Sequence, residues 1–263
     1  MQARLLWRLS AAAITMAVLT SGLGAAAPAS AGQQRQSQHA DAGRGYEYLL
    51  AARKCPKPKY GPQYYAPGKG KTAALTFDDG PGKSTLQILR VLRKYHAPAT
   101  FFNIGQNMAA RPKLVRKEAR MGYTLGNHTW NHPDMVTLSR SAQAEELDQT
   151  IAEQRKLVRT SPCVFRPPYG DYDATTLSLA LHRRMAVWLW SVDTQDWMAD
   201  GSASPYWVNR IVSTAESEGS ALRNPVILMH NQPAGNPATV LALPRIIRYF
   251  RHHGYRLVNL SKT

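Results

Sequence analysis

Between residues 71 and 260, short runs rich in β-branched and aromatic residues alternate with longer amphipathic stretches, and this alternation most narrows the folds open to the chain. The short runs lie at 73–77, 99–103, 123–127, 164–166, 186–190, 226–229 and 255–260, and the stretches at 84–96, 112–121, 142–159, 174–184, 205–218 and 237–253. About seven such alternations predict an α/β fold with a parallel sheet, because each crossover helix returns the chain to the same end of the sheet, and a (β/α) barrel is the natural closure at this length. Ser84 with Gln87 three residues on, and Ser204 followed by Pro205, mark helix starts. Ala144, Leu147, Ile151 and Val158 fall on one face at helical spacing. No internal repeat is present.

Upstream of residue 71 the texture differs. Arg4 and Arg8 precede an apolar run over 9–27, and Ala29-Ser30-Ala31 has the small-residue pattern that a signal peptidase cuts, so 1–31 reads as an export signal. Residues 32–70, rich in Gln, Gly, Pro, Lys and Tyr, read as a linker or N-terminal arm. Residues 71–261 are then a single domain, and no later stretch is apolar enough to span a membrane. The 263-residue chain carries 33 Lys+Arg against 17 Asp+Glu, a net charge of +16; the leader holds two of the arginines and no acid, so +14 remains after cleavage. Such an excess suits a polyanion. Outside the cell that partner is an anionic cell-wall polymer and not nucleic acid. Export also gives the two cysteines a meaning: a Cys55–Cys163 bridge is expected to pin the arm beside the strand holding Cys163, closing a loop of roughly 110 residues worth about 4 to 5 kcal/mol in chain-entropy terms.

In a barrel of this kind reactive groups sit where strands end, on the C-terminal face. Five segments there carry unusual chemistry: 76–81 (TFDDGP), 128–132 (HTWNH), 166–170 (RPPYG), 193–197 (DTQDW) and 228–230 (LMH). His128 and His132 are four apart, so a helical turn would put both imidazoles on one side. Two imidazoles hold a metal poorly, and catalytic zinc usually takes three protein ligands with a fourth position open. Asp78 and Asp79 alone could equally serve a turn before Gly80-Pro81. Taken with the histidines the pair gains weight: if Asp79 completes a His2Asp set, Asp78 is left near the metal-bound water, positioned to take its proton. His230 can donate a proton to a leaving group if a carboxylate such as Asp196 keeps it charged, and Arg166 is placed to pair with Asp78.

The five segments, in this order and spacing, resemble those of the NodB-like polysaccharide deacetylases, carbohydrate esterase family four. The resemblance implies a distorted (β/α)7 barrel and a metal-dependent hydrolase that removes acetyl groups from carbohydrate. By position it implies Asp78 as general base, Asp79, His128 and His132 as ligands of one divalent ion, most simply Zn2+, and His230 as general acid tuned by Asp196. It also implies that Arg166 holds Asp78, that the Tyr169 backbone N–H stabilises the oxyanion, that Trp197 and Leu228 line the pocket for the acetyl methyl, and that Thr129 shapes the ligand loop. A base that must be ionised and an acid that must be protonated give a bell-shaped pH profile. The expected substrate is an N-acetylglucosamine polysaccharide, peptidoglycan or chitin-like, or a chitooligosaccharide. An O-acetyl esterase acting on xylan is the alternative, since one site can cleave amide or ester, and a non-catalytic wall-binding protein is disfavoured because every catalytic position is intact.

Overall fold

Residues 58–199 and 201–260 are described in a computed structural model. The strands are β1 (Pro62–Gln63), β2 (Thr72–Gly80), β3 (Thr100–Asn103), β4 (Thr124–Asn127), β5 (Val164–Phe165), β6 (Ala186–Trp188), β7 (Val192–Asp193), β8 (Val226–His230) and β9 (Arg256–Val258). The helices are α1 (Thr85–Lys94), α2 (Gly105–Ala110), α3 (Pro112–Arg120), α4 (Arg140–Val158), α5 (Ala174–His182), α6 (Pro205–Ser220) and α7 (Pro237–His252). All strand pairs are parallel, in the order β1-β6-β5-β4-β3-β2-β8-β7, with β9 also paired to β2. This is the distorted (β/α)7 barrel of a single domain. Its path ends on β1 and β7, each two residues long, which offer little free edge.

β2 is the spine. Its first half pairs with β9 and its second with β8, so this one strand orders three neighbours. Parallel strands covered on both faces are buried without alternation, as β2 is through Phe77. Leu75 and Phe77 face the helices, where they join Ile88, Leu92, Phe101, Ile246 and Phe250; Ala74 faces the barrel interior with Phe102 and Trp188. Phe77 stacks on Phe101 with centroids 5.1 Å apart. By the same alternation Asp78 points inward and Asp79 would point out among the helices.

Three local features differ from the sequence reading. The sheet begins before residue 71: Pro62 and Gln63 pair with Val187 and Trp188, and Ala66 N–H donates to Asn224 O, so the end of the 32–70 arm belongs to the barrel. Helix α2 has no amphipathic signature in its six residues, Gly-Gln-Asn-Met-Ala-Ala, and was not expected. Ser84 stands at the start of α1 but makes no side-chain cap; its hydroxyl accepts the Asn236 N–H, 2.7 Å, across the barrel mouth. Ser204 does cap α6, accepting from Trp207 N. Cys163 is disulfide-bonded. Cys55, the 1–31 leader and the first part of the arm lie outside the described residues, as do 261–263. No helix among the described residues is long and apolar enough to cross a membrane.

Candidate metal centre and active site

A break in the β2 alternation creates the site. Between Asp78 and Gly80 the register against β3 shifts, and Asp79 takes a left-handed backbone, φ +66°. The bulge turns Asp79 back toward the barrel mouth, so two consecutive aspartates face one spot. The Asn107 side chain from α2 donates to Asp79 O, 2.8 Å, and holds the bulge. Beyond it the chain runs against the 231–232 backbone, where a Cβ on Gly82 would lie 1.7 Å from Gln232 O; only glycine fits.

His128 and His132 reach the same spot from the loop after β4. That loop is not the helical turn that their spacing suggested: Thr129 and His132 are both left-handed, φ +66° and +67°. Asn127 Oδ1 accepts the Thr129 N–H, Thr129 Oγ1 donates to His128 O and accepts the His132 N–H, and Glu146 from α4 accepts the N–H groups of Trp130 and Asn131. Thus the imidazoles converge, with centroids 4.9 Å apart. His128 Nδ1 donates to Arg166 O, 2.7 Å, which leaves Nε2 with its lone pair free.

The Nε2 atoms of His128 and His132 lie 3.4 and 3.3 Å from Asp79 Oδ1. One ligand atom from each of the three residues falls within 4.8 Å of the others. Asp79 Oδ1 is buried and accepts no hydrogen bond. An orphaned anionic oxygen facing two imidazole nitrogens is the donor set of a three-ligand zinc site, so the residues fit a divalent ion. The electrostatics agree. Burial raises the Asp79 pKa, but His128, His230 and His132 outweigh it and bring it to about 2. Burial, then His128, lowers that of His132, keeping its imidazole neutral as a ligand requires.

Two further pairs flank these three residues. Arg166 is fully buried, and its Nη1 donates to Asp78 Oδ1 at 2.7 Å and to Thr76 Oγ1 at 2.9 Å. Its other nitrogens donate to Trp188 O and Leu189 O, and its plane lies over Phe102. Burial lowers its pKa and Asp78 opposes the loss. On the other side His230 Nδ1 meets Asp196 Oδ1 at 2.7 Å, and the His230 N–H donates to Asp196 Oδ2. Burial pushes the His230 pKa down, but Asp196 first, then Asp78 and Asp79, raise it to about 9. Asn236 and Thr239 also donate to Asp196 Oδ2. Neither had been singled out in the sequence, although Asn236-Pro237 with Thr239 three residues on reads as a helix cap, and Asn236 does accept the Thr239 N–H.

Tyr169, φ +59°, sets its ring edge-on to His132, centroids 4.7 Å apart, and is 64% exposed. Trp197, 51% exposed, follows Asp196, whereas Leu228 is buried in β8 two residues before His230. Among the described residues, five of the eight left-handed non-glycine positions, Asp79, Thr129, His132, Tyr169 and Gln195, lie in the five segments. Such conformations persist only where surrounding contacts fix them. The eleven residues named from the sequence, Thr129 included, thus lie on five segments at the strand ends of one mouth of the barrel.

A model of the polysaccharide deacetylase family matches residues 65–187. A peptidoglycan-N-acetylglucosamine deacetylase of Bacillus cereus is 32% identical over 204 residues, covering 77% of this chain and 71% of that one. A bifunctional xylanase/deacetylase of Pseudobutyrivibrio xylanivorans is 34% identical over 194 residues, 73% of this chain but 30% of the larger protein. Among solved structures, a family 4 carbohydrate esterase from Streptomyces lividans in complex with acetate superposes with a TM-score of 0.62 at 35% identity, covering 70% of this chain and 90% of that one.

Proposed function

Because the chain belongs to the polysaccharide deacetylase family, hydrolases that remove acetyl groups from carbohydrate, we propose that it is a secreted, zinc-dependent N-deacetylase of N-acetylglucosamine units in peptidoglycan or a chitin-like polysaccharide. The observation that carries the reading is the placement of the Asp79, His128 and His132 cluster between an Arg166-held aspartate and an Asp196-held histidine. The amide specificity is supported by the Bacillus cereus relative, and the export by the 1–31 leader.

The mechanism follows from the side chains. Asp79, His128 and His132 would hold the zinc ion, which when bound would supply Lewis acidity towards the acetyl carbonyl and towards water. Asp78, 3.9 Å from His128 Nε2, takes the proton of the attacking water, and Arg166 prevents it from rotating into the ligand cluster. The Tyr169 N–H is assigned to the developing oxyanion. His230, charged at neutral pH because Asp196 stays beside it, protonates the departing nitrogen. Trp197 and Leu228 are assigned to the acetyl methyl and exclude water from it.

The test is acetate release from N-acetylglucosamine oligomers, peptidoglycan and acetylated xylan, with and without a chelator and re-added zinc. Release from the amide substrates that stops on chelation and returns with zinc is expected. Release from xylan alone would replace the amide reading with the ester reading.

A further inference from the structure

The helices α1, α3 and α7 carry Arg90, Arg93, Lys94, Lys113, Arg116, Lys117, Arg120, Arg245, Arg248 and Arg251, but a single acid, Glu118. Glu118 does not offset them. It is wholly buried, and burial, opposed by its bond from Asn103, raises its pKa to about 8, so it is neutral at physiological pH. Helix α4 is the contrast: Glu145, Glu146, Asp148 and Glu153 lie along it, and Arg183 and Lys156 are paired with two of them.

Within this basic wall the charges converge. Arg90 and Arg93 from α1 and Lys117 and Arg120 from α3 line one depression of about 250 Å³, floored by Leu89 and Met121. Among the described residues none of these four side chains has an ion pair or hydrogen-bond partner. The favourable field at a helix C-terminus explains a cation in each last turn. It does not explain four cations from two helices around one concavity without a counter-ion, an arrangement that repels itself. A neighbouring group of cations extends the surface: Arg248 reaches the Tyr95 hydroxyl and Arg251 reaches His96 O at the end of α1. In a parallel barrel the helices run back from the strand ends that bear the site, so the last turns of α1 and α3 lie toward the opposite end.

We infer that the depression between α1 and α3 is a phosphate site that tethers the protein to a phosphodiester polymer, leaving the barrel mouth free for the glycan. Guanidinium forks and an ammonium around one concavity suit a group with several acceptor oxygens, where a single arginine would suffice for a planar carboxylate. The spread of Arg248 and Arg251 beyond it suits a repeating anion. The site does not depend on which acetyl bond is cleaved; it rests on the proposed export only for where such a polymer is met.

The test uses the full chain and a poly(glycerol phosphate) probe, with polyglutamate, a carboxylate polymer, as the other arm. Binding is measured against salt for wild type, for Arg93→Gln with Lys117→Gln, and for a control of equal charge loss, Arg155→Gln with Arg184→Gln. Acetate release from a short oligosaccharide and the thermal midpoint report the integrity of the fold. The inference expects the α1/α3 pair to lose at least about tenfold in affinity, with the salt slope falling by about two, and the control to lose less than about twofold. Deacetylation is unchanged in both. Equal losses in the two variants, no binding by wild type, or equal binding of polyglutamate would overturn it. If acetate release is absent while the α1/α3 variant still loses the polymer selectively, the deacetylase reading fails and the phosphate site stands.

Discussion

Asp79 at the end of β2 and Glu118 on α3 are both largely or wholly withdrawn from water, yet they settle in opposite charge states. Burial disfavours the anion at both positions. Asp79 faces two imidazole nitrogens with a third, charged imidazole nearby, and its pKa falls to about 2. Glu118 receives one neutral amide bond, from Asn103 Nδ2 at 2.7 Å, and its pKa rises to about 8. Glu118 Oε1 and Asn103 Oδ1 are each buried without a partner, as a carboxylic acid and an amide facing each other would be once the acid proton is counted. Depth therefore does not decide whether a buried carboxyl in this barrel is reactive. The company of imidazoles at the strand ends does, and the helical layer supplies none.

Substitutions at the two sites should separate these roles. The largest effect is expected at the barrel mouth: Asp78→Asn keeps bound zinc but loses about 10²- to 10⁴-fold in kcat, whereas His128→Ala loses zinc and activity together, both read by metal analysis beside acetate release. Equal zinc in wild type and His128→Ala with activity intact would remove the metal centre. Next is Asp196→Asn. The His230 pKa is raised to about 9, so the charged acid is present at neutral pH and lost as pH rises through that value. Without the Asp196 charge the alkaline limb of kcat/KM should move to lower pH, with a loss of about tenfold or more near neutrality; an unmoved limb would take His230 out of the acid role.

The third effect is on stability. A folded-state pKa above the unfolded 4.5 means that the contribution of Glu118 is fully present below about 4.5 and is lost as pH rises through about 8. Glu118→Gln, which keeps both hydrogen bonds without the titration, should match wild type in acid and unfold at a higher temperature by pH 9, with deacetylation little changed at pH 7. A constant gap in Tm across pH would mean that Glu118 is ionised in the fold. The smallest effect is expected from Tyr169→Phe, which keeps the ring against His132 and the backbone N–H and should leave kcat within about twofold. A larger loss would move the role of Tyr169 from its amide to its hydroxyl.

The sequence carried the periodic parts of this fold and the side chains of the site, for separable reasons. Strands and long helices announce themselves through burial at period two or 3.6, so 112–121, 142–159 and 237–253 lie within a residue or two of α3, α4 and α7. Helix α2, six residues beginning with glycine, is too short to show a period. The reactive residues were legible because they are unusual types at strand ends, and the five segments together resemble one family. What spacing could not show is how they converge: a bulge at Asp79 and left-handed residues at Thr129 and His132 do what a helical turn was expected to do. Nor could spacing reveal that Ser84 serves Asn236 instead of its own helix, or that cations about 30 residues apart, Arg90 and Arg120, share one depression.

The left-handed residues at the mouth also bear on any attempt to make this protein more heat-resistant. Replacement by glycine relieves such a backbone locally, and at Arg159, in the same conformation where α4 ends, that exchange is open to an engineer. At Asp79 and His132 it is closed, because the side chain that resists the conformation is itself one of the three that could hold the metal ion. Selection for a higher melting temperature should therefore enrich changes on the helices and at Arg159 and leave the mouth of the barrel untouched.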